Sequence, residues 1–402
     1  MPSFGPGMTL ILLLLTPLLW SLPVALAMSE LAGAMPEEGG YVAWTRRAFG
    51  RFWAFQVGWW SWIDSFVDVA VYPALFVEYV RFWHPDMTRA ERWLLVLGFI
   101  AVLTALNVLG VRPTGHVAVA LAVLALLPVA ALTVAGFGAV RGAPWVPLAP
   151  EGQALETLGL GLALVMWNFS GWDMPATVLG ETRAPERSFR LAALFTLPVL
   201  TAFYVLPIGA ALASGAVEWS AWTTGTLPVV ARAVGGEWLA HAVTMGAVLS
   251  TAGLFLSLLL TNSRLPYVLA LDRAMPAWLG RVHPRFGTPW AAVVVSAAVY
   301  AAFAAFSFKE LIVLDMWLYS LSLFIELAAF LWLRATAPDM PRPWRVPGGS
   351  TGAILVVVFP TLFMLGAIAT AGLRDTIAGL VGALSGPVAW AVLSRRGRGR
   401  GR

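Results

Sequence analysis

About eleven apolar runs, each near the length that crosses a bilayer as a helix, make up most of this chain. They lie near 9–33, 52–80, 93–111, 116–139, 156–180, 191–214, 238–262, 289–306, 310–333, 353–372 and 376–393. Runs this long and continuous do not read as barrel strands, which alternate over short segments. The expected class is therefore an all-α polytopic membrane protein. Of the residues, 12% are charged, against ~25% in soluble domains. Mean hydropathy is +0.79, which leaves little room for a soluble enzyme.

Several chemistries drop out on residue type. There is no cysteine, so disulfides and thiol catalysis are excluded. The four histidines, His84, His116, His241 and His283, lack metal-ligand spacing, and no metal or other cofactor is expected. The phosphate-cradling G-x-x-x-x-G-K-[ST] loop is missing, so ATP-driven pumping finds no support. No nucleophile–base set marks an enzyme. The net charge of +5 reads as topology rather than as nucleic-acid binding.

Basic residues orient the spans. If the first run goes from outside to inside, 19 of the 26 basic residues fall on the inner side, including Arg46, Arg47, Arg183, Arg264, Arg334 and the tail arginines. This places the C-terminus in the cytoplasm and the N-terminus outside, in a cell membrane. The start could instead be a secretory leader, with Leu10–Leu22 as its apolar core and Ala25-Leu26-Ala27 at its cleavage site. Against that, "MPSFGPG" carries no positive charge, and the apolar run continues toward Met35.

One run breaks its own pattern. In "LVMWNFSGWDMPATVLGET" (164–182), Asn168, Ser170, Gly171 and Asp173 interrupt an apolar helix. Bare backbone at membrane depth is tolerated only where it lines a cavity. Gly171 permits unusual backbone angles, Asp173 can cap a second half-helix, and Pro175 suits its first turn. The plainer alternative is a Gly/Pro kink with Asp173 as a cap alone. Glu181, farther on, reads as part of a solvated loop.

Acids inside spans are costly and commonly functional. Asp64, Asp68 and Tyr72 share a helix face; Glu326 and Glu30 lie in two other runs. Basic residues inside the spans are nearly absent, so the interior is net acidic and suits a cationic ligand, a coupling cation or a proton relay. For Asp64 an interhelical hydrogen bond to a hydroxyl is an equal alternative. Trp59, Trp60, Trp62, Trp167 and Trp172 are expected near these acids, where aromatic faces attract ammonium groups. Trp44, Trp53 and Trp83 read as an interfacial belt. Ser250 and Thr251 could supply hydroxyls to a sodium site, or simply bond to their own helix.

The segments "LLWSLPVALAMSELAGAMPEEGGYVAW" (18–44), "FWAFQVGWWSWIDSFVDVAVYPALFVEYV" (52–80), "MWNFSGWDMPATVLGETRAPERSFRLA" (166–192), "NSRLPYVLALDRAMPAWLGRVHPRFGTPW" (262–290) and "LYSLSLFIELAAFLWLR" (318–334) resemble, in order, the amino acid–polyamine–organocation transporters. The polyamine and L-type amino-acid branch is the nearest in pattern. The resemblance implies one transmembrane domain over 1–402 with a LeuT-like inverted-repeat fold. The remainder of the first repeat covers 9–139, the second covers 156–333, and two extra helices cover 353–393. It implies a secondary active permease that moves polyamines or amino acids by alternating access, driven by a proton or sodium gradient. Its substrate site would comprise Asp68, Tyr72, Trp167, Asn168, Ser170, Gly171, Trp172 and Asp173, with the break in the family's sixth helix. Coupling would fall to Asp64, Glu326, Ser250 and Thr251. Without a cysteine, no disulfide-linked heavy chain is expected.

The front of the chain departs from the family, which has twelve spans, a cytoplasmic N-terminus and a first helix broken at a Gly-rich turn. Here "GPGMTL" resembles the loop after that helix, and the first run resembles the second helix. The expectation is that a chain starting at Met1 lacks half of the pocket and transports poorly. The alternative functional reading is a non-transporting membrane sensor or an inactive truncated permease.

Overall fold

A computed structural model describes residues 4–150, 155–223, 225–305, 308–369 and 373–398. Each of the eleven expected runs falls on helix, and no strand occurs among the described residues. The first run is α1 (Gly5–Thr16), a π-helical turn over Pro17–Ser21, and α2 (Leu22–Ala34). Proline removes an amide from the helical ladder, and the wide turn absorbs that loss without ending the helix. A short loop leads to α3 (Tyr41–Phe49), and then Gly50, at φ 84°, turns the chain into α4 (Arg51–Val80). Next come α5 (Arg89–Val108), opened by a Thr88–Glu91 capping box, and α6 (Val111–Gly138). Then α7 (Leu155–Asn168) stops early and a 3-10 helix (Met174–Glu181) resumes its course.

The second half continues with α8 (Pro185–Ser214), α9 (Thr226–Asn262), which kinks at Gly236, and the short α10 (Arg264–Leu271). It ends with α11 (Trp290–Phe303), α12 (Phe308–Thr336), α13 (Gly349–Ala369) and α14 (Leu373–Arg398). The outer part of the basic tail lies outside the described residues.

Among the described residues, eight helical segments are long and apolar enough to cross a membrane, and α11 is a shorter apolar helix. The long α4 does not meet that apolar standard, because it carries a polar stripe. Its position explains how it tolerates one. Helices α3, α5, α9, α10, α11, α12 and α14 all pack against it, so its acids face protein instead of lipid. Elsewhere α6 lies along α8 and α9, and α2 lies between α8 and α13.

Burial is inverted relative to a water-soluble protein. Val134 is 75% exposed and Leu94 70%, whereas Asp64, Asp173, Asp315 and Glu326 are at most 2% exposed. Apolar side chains coat the outside and carboxylates fill the middle, as a lipid solvent requires.

Candidate functional site

The break in α7 is built from five residues, 169–173, between Asn168 and Met174. Gly171 sits at φ 83°, a backbone region that a side chain would disfavour. Several of the polar groups freed by the break find partners. The Phe169 carbonyl accepts the Ser21 hydroxyl at 2.8 Å and the Trp172 indole N–H at 2.9 Å. The Gly171 amide donates to the Tyr319 hydroxyl of α12 at 3.1 Å. Tyr319 in turn donates to Asp173 Oδ1 at 2.7 Å.

Asp173 does stand at the N-cap of the 3-10 helix, but its side chain makes no capping bond there; it holds Tyr319 instead. Asn168 and Ser170 turn back as well. They donate to the Leu164 and Trp167 carbonyls of their own helix at 2.7 and 2.9 Å, and so finish α7. Gly171 therefore opens the helix as expected, while two of the polar side chains thought to face a ligand close its end.

A second cluster lies between α4 and α12. Asp68 accepts the Trp167 indole N–H at 2.9 Å, and Tyr72 stacks on the same indole at 6.3 Å with rings 19° apart. The structure thus brings together Asp68, Tyr72 and Trp167. Facing them, α12 presents Asp315, Tyr319, Ser322 and Glu326, at i, i+4, i+7 and i+11. The carboxyl groups of Asp64 and Asp315 are near enough to interact across this interface. Two neighbouring carboxylates favour a shared proton or a cation between them. Ser61 donates to Ser322 at 3.1 Å. Both Glu326 oxygens, Asp64 Oδ1 and Asp315 Oδ1 are buried with no hydrogen-bond partner. Sequence reading missed Asp315 and Tyr319; the signal was their helical spacing with Ser322 and Glu326.

Other expectations change. Trp59 donates to Ser385 and Trp60 to the Ala383 carbonyl, so both face α14, and Trp62 reaches Ser296 of α11. Of the five tryptophans expected near the acids, Trp59, Trp60, Trp62, Trp167 and Trp172, Trp167 is the one whose indole bonds an acid. Trp44 is 1% exposed and donates to the Met35 carbonyl, so it belongs to the core and not to a belt. Glu30 is not an open acid: Arg334 grips both its oxygens at 2.9 Å, and Arg342 approaches at 3.2 Å. Glu181 is exposed at the end of the 3-10 helix, in keeping with a solvated position, and it is tied there by buried Arg264, which donates to it at 2.9 Å. The Thr251 hydroxyl is taken by the Val248 carbonyl, and Ser250 lies half-buried beside it.

On the arginine-rich side, the loop before α3 presses against the 3-10 helix. Gly39 donates to the Thr177 carbonyl at 3.1 Å, and Gly40, at φ 42°, approaches the Ala176 backbone too closely for any Cβ. Glu38 in this loop has its carboxyl pushed up to about 8, by burial first and then by the Glu181 charge.

The model of the amino acid permease family matches residues 3–379. The chain belongs to that family. Within the amino acid–polyamine–organocation transporters it is 32% identical to a polyamine transporter of Oryza sativa subsp. japonica, over 94% of this chain and 70% of that protein. It is 28% identical to a polyamine transporter of Arabidopsis thaliana, over 96% of this chain and 78% of that one. An uncharacterized transporter of Mycobacterium bovis (strain ATCC BAA-935 / AF2122/97) is 29% identical over 70% of this chain and 62% of its own length. This permease is accordingly a multi-pass membrane protein, and its interrupted α7 and acidic α4–α12 interface form the candidate site.

Proposed function

We propose that this permease is a secondary active transporter whose substrates are polyamines. The carrying observation is a set of five acids inside the helix bundle, of which Asp64, Asp173, Asp315 and Glu326 are buried and Asp68 is half-buried. Among the described residues none of them has a basic partner within ion-pair distance. Buried carboxylates without counter-charges call for a cation or a proton. Trp167 and Tyr72 add an aromatic wall beside Asp68, suited to an ammonium group. Two relatives bear the name polyamine transporter, which agrees with this chemistry.

Amino acids are the second reading, favoured by the family's description. A zwitterion needs free N–H groups for its carboxylate. At the α7 break the Gly171 amide is already taken by Tyr319, which weighs toward amines. Asp68, Trp167 and Asp173 contact substrate in this reading, and the Asp64–Asp315 pair carries the coupling proton. Residues 9–139 and 156–333 act as the two inverted repeats and 353–393 as added helices, with alternating access about the α7 break. The arginine bias supports a cytoplasmic C-terminus in a cell membrane.

Purified protein in liposomes, given labelled putrescine, spermidine and a panel of amino acids under an imposed pH gradient, tests the proposal. Saturable polyamine uptake that collapses with the gradient would support the proposal and overturn the expectation of poor transport. Uptake of amino acids alone would favour the second reading, and binding without uptake would favour a sensor. Reporter fusions at Arg402 and near Asp86 should give opposite signals.

A further inference from the structure

The α12 face that carries Tyr319 continues one more step toward the arginine-rich side, to Glu326. This side chain is 1% exposed, and neither of its oxygens has a hydrogen-bond donor. A buried carboxylate with nothing to hold is costly, so its partner is something the protein chain does not supply. The nearest cation on its own helix, Arg334, is committed to Glu30 and to the Gly349 carbonyl.

The surroundings are polar and contributed by three helices. Ser322 lies one turn before Glu326 on α12 and accepts from Ser61 of α4. Tyr41, the first residue of α3, approaches Ser61 without completing a hydrogen bond, and its hydroxyl is buried. Glu326 lies within electrostatic reach of Tyr41, Tyr319 and Asp173. A carboxylate on a helix face shared with Ser322, with the Ser61 and Tyr41 hydroxyls on the helices packed against it, offers acceptors of the kind an ammonium with three N–H donors requires.

We propose that Glu326, with the hydroxyls of Tyr41, Ser61 and Ser322, forms a second ammonium subsite that takes the distal amine of a polyamine whose first amine is held near Asp173. This rests on the polyamine reading above. Spacing supports it. Tyr319, which touches Asp173, and Glu326 are seven residues apart on α12, a rise of ~10 Å. The terminal amines of an extended four-carbon diamine are ~6 Å apart by covalent geometry, and a further three-carbon aminoalkyl arm brings this to ~11 Å. Two carboxylates each ~3 Å from an ammonium would bridge amines in that range. A monoamine would fill the first subsite alone.

The test is a chain-length series on the full chain: butylamine, putrescine, spermidine and spermine, read by ligand-induced shift of thermal unfolding and by competition for uptake. In the wild type, affinity should climb from butylamine to spermidine. Glu326→Gln should flatten that climb, weakening spermidine about 10-fold while changing butylamine less than about 2-fold. Tyr41→Phe, which keeps the ring, should weaken spermidine about 3-fold with butylamine unchanged, and it carries the test if Glu326→Gln does not fold. An unchanged climb in the variants would overturn the subsite, and so would an equal loss for every amine. A wild-type chain that binds no amine would overturn the polyamine reading itself, a result distinct from both.

Discussion

The Tyr319 hydroxyl donates to Asp173 Oδ1 at 2.7 Å while accepting the Gly171 amide at 3.1 Å. One side chain from α12 thus ties the middle of the gap between α7 and the 3-10 helix to its far end. Tyr319→Phe keeps the ring but strands a half-buried amide and a buried carboxyl. The expected loss is ~1–3 kcal/mol, because an unsatisfied buried group costs its full desolvation. Thermal unfolding of purified protein in detergent measures it. With the amide freed, the variant should also acquire amino-acid binding that the wild type lacks. An unchanged melting temperature and unchanged ligand range would show that Tyr319 does not hold the break.

Asp68 meets Trp167 through a hydrogen bond, so charge and geometry can be separated there. Asp68→Asn keeps an oxygen for the indole N–H and removes the negative charge. Uptake of cationic substrate should fall about 10-fold or more, with membrane insertion intact. Trp167→Phe keeps the charge and loses the donor, and it should cost less. Equal uptake by wild type and Asp68→Asn in liposomes would remove the charge from the mechanism.

How the α7 break arises was partly legible in the sequence. Gly171 and Asp173 stood out because polar and flexible residues interrupt an apolar run, a signal local to the chain. Asp68 with Tyr72 was legible too, from one helix face. The partners were not. Tyr319 lies 146 residues from Asp173, and nothing local distinguishes it from any aromatic core residue. Trp59 lies about 140° round the helix from Asp64, whereas Trp60 shares its face one turn earlier, yet both indoles bond α14 rather than an acid, a pairing that only the packing of α14 on α4 decides. Glu30 and Arg334 are 304 residues apart, so the neutral pairing of a seemingly open acid appears only after folding.

Glu38 supplies a pH dependence whose sign can be worked out. Burial and the Glu181 charge push its carboxyl up to about 8, above the ordinary ~4.3 of a glutamate. The folded protein therefore holds a proton here that the unfolded chain has lost. Its contribution is fully present below the ordinary value and is lost as pH rises through about 8. The contact between this loop and the 3-10 helix should loosen across that window. Melting temperature followed from pH 5 to 9 should decline in the wild type, and more shallowly in Glu38→Gln. Parallel profiles would assign the pH response to other groups.

Glu30 ties three parts of the arginine-rich side together, and its removal should be the most damaging of these changes. It is 1% exposed at the end of α2, accepts both Arg334 bonds and the Val346 amide, and lies beside Arg342. Glu30→Gln leaves two guanidinium groups, 16% and 3% exposed, without their counter-charge. Breaking a buried pair from one side costs ~3–5 kcal/mol, since the surviving charge stays buried. Removing Arg342 is a different case. Glu30 keeps its bidentate bond to Arg334, and what is lost is a weaker approach plus bonds from Arg342 to the Leu333 and Ala337 carbonyls. Arg342→Gln should therefore cost less than Glu30→Gln, and Arg334→Lys, which gives up the two-point grip, should fall between them. Melting temperatures of the three variants in one detergent would establish the order. If Arg342→Gln proved the most damaging, the anchor would be the loop around Arg342 rather than the carboxylate.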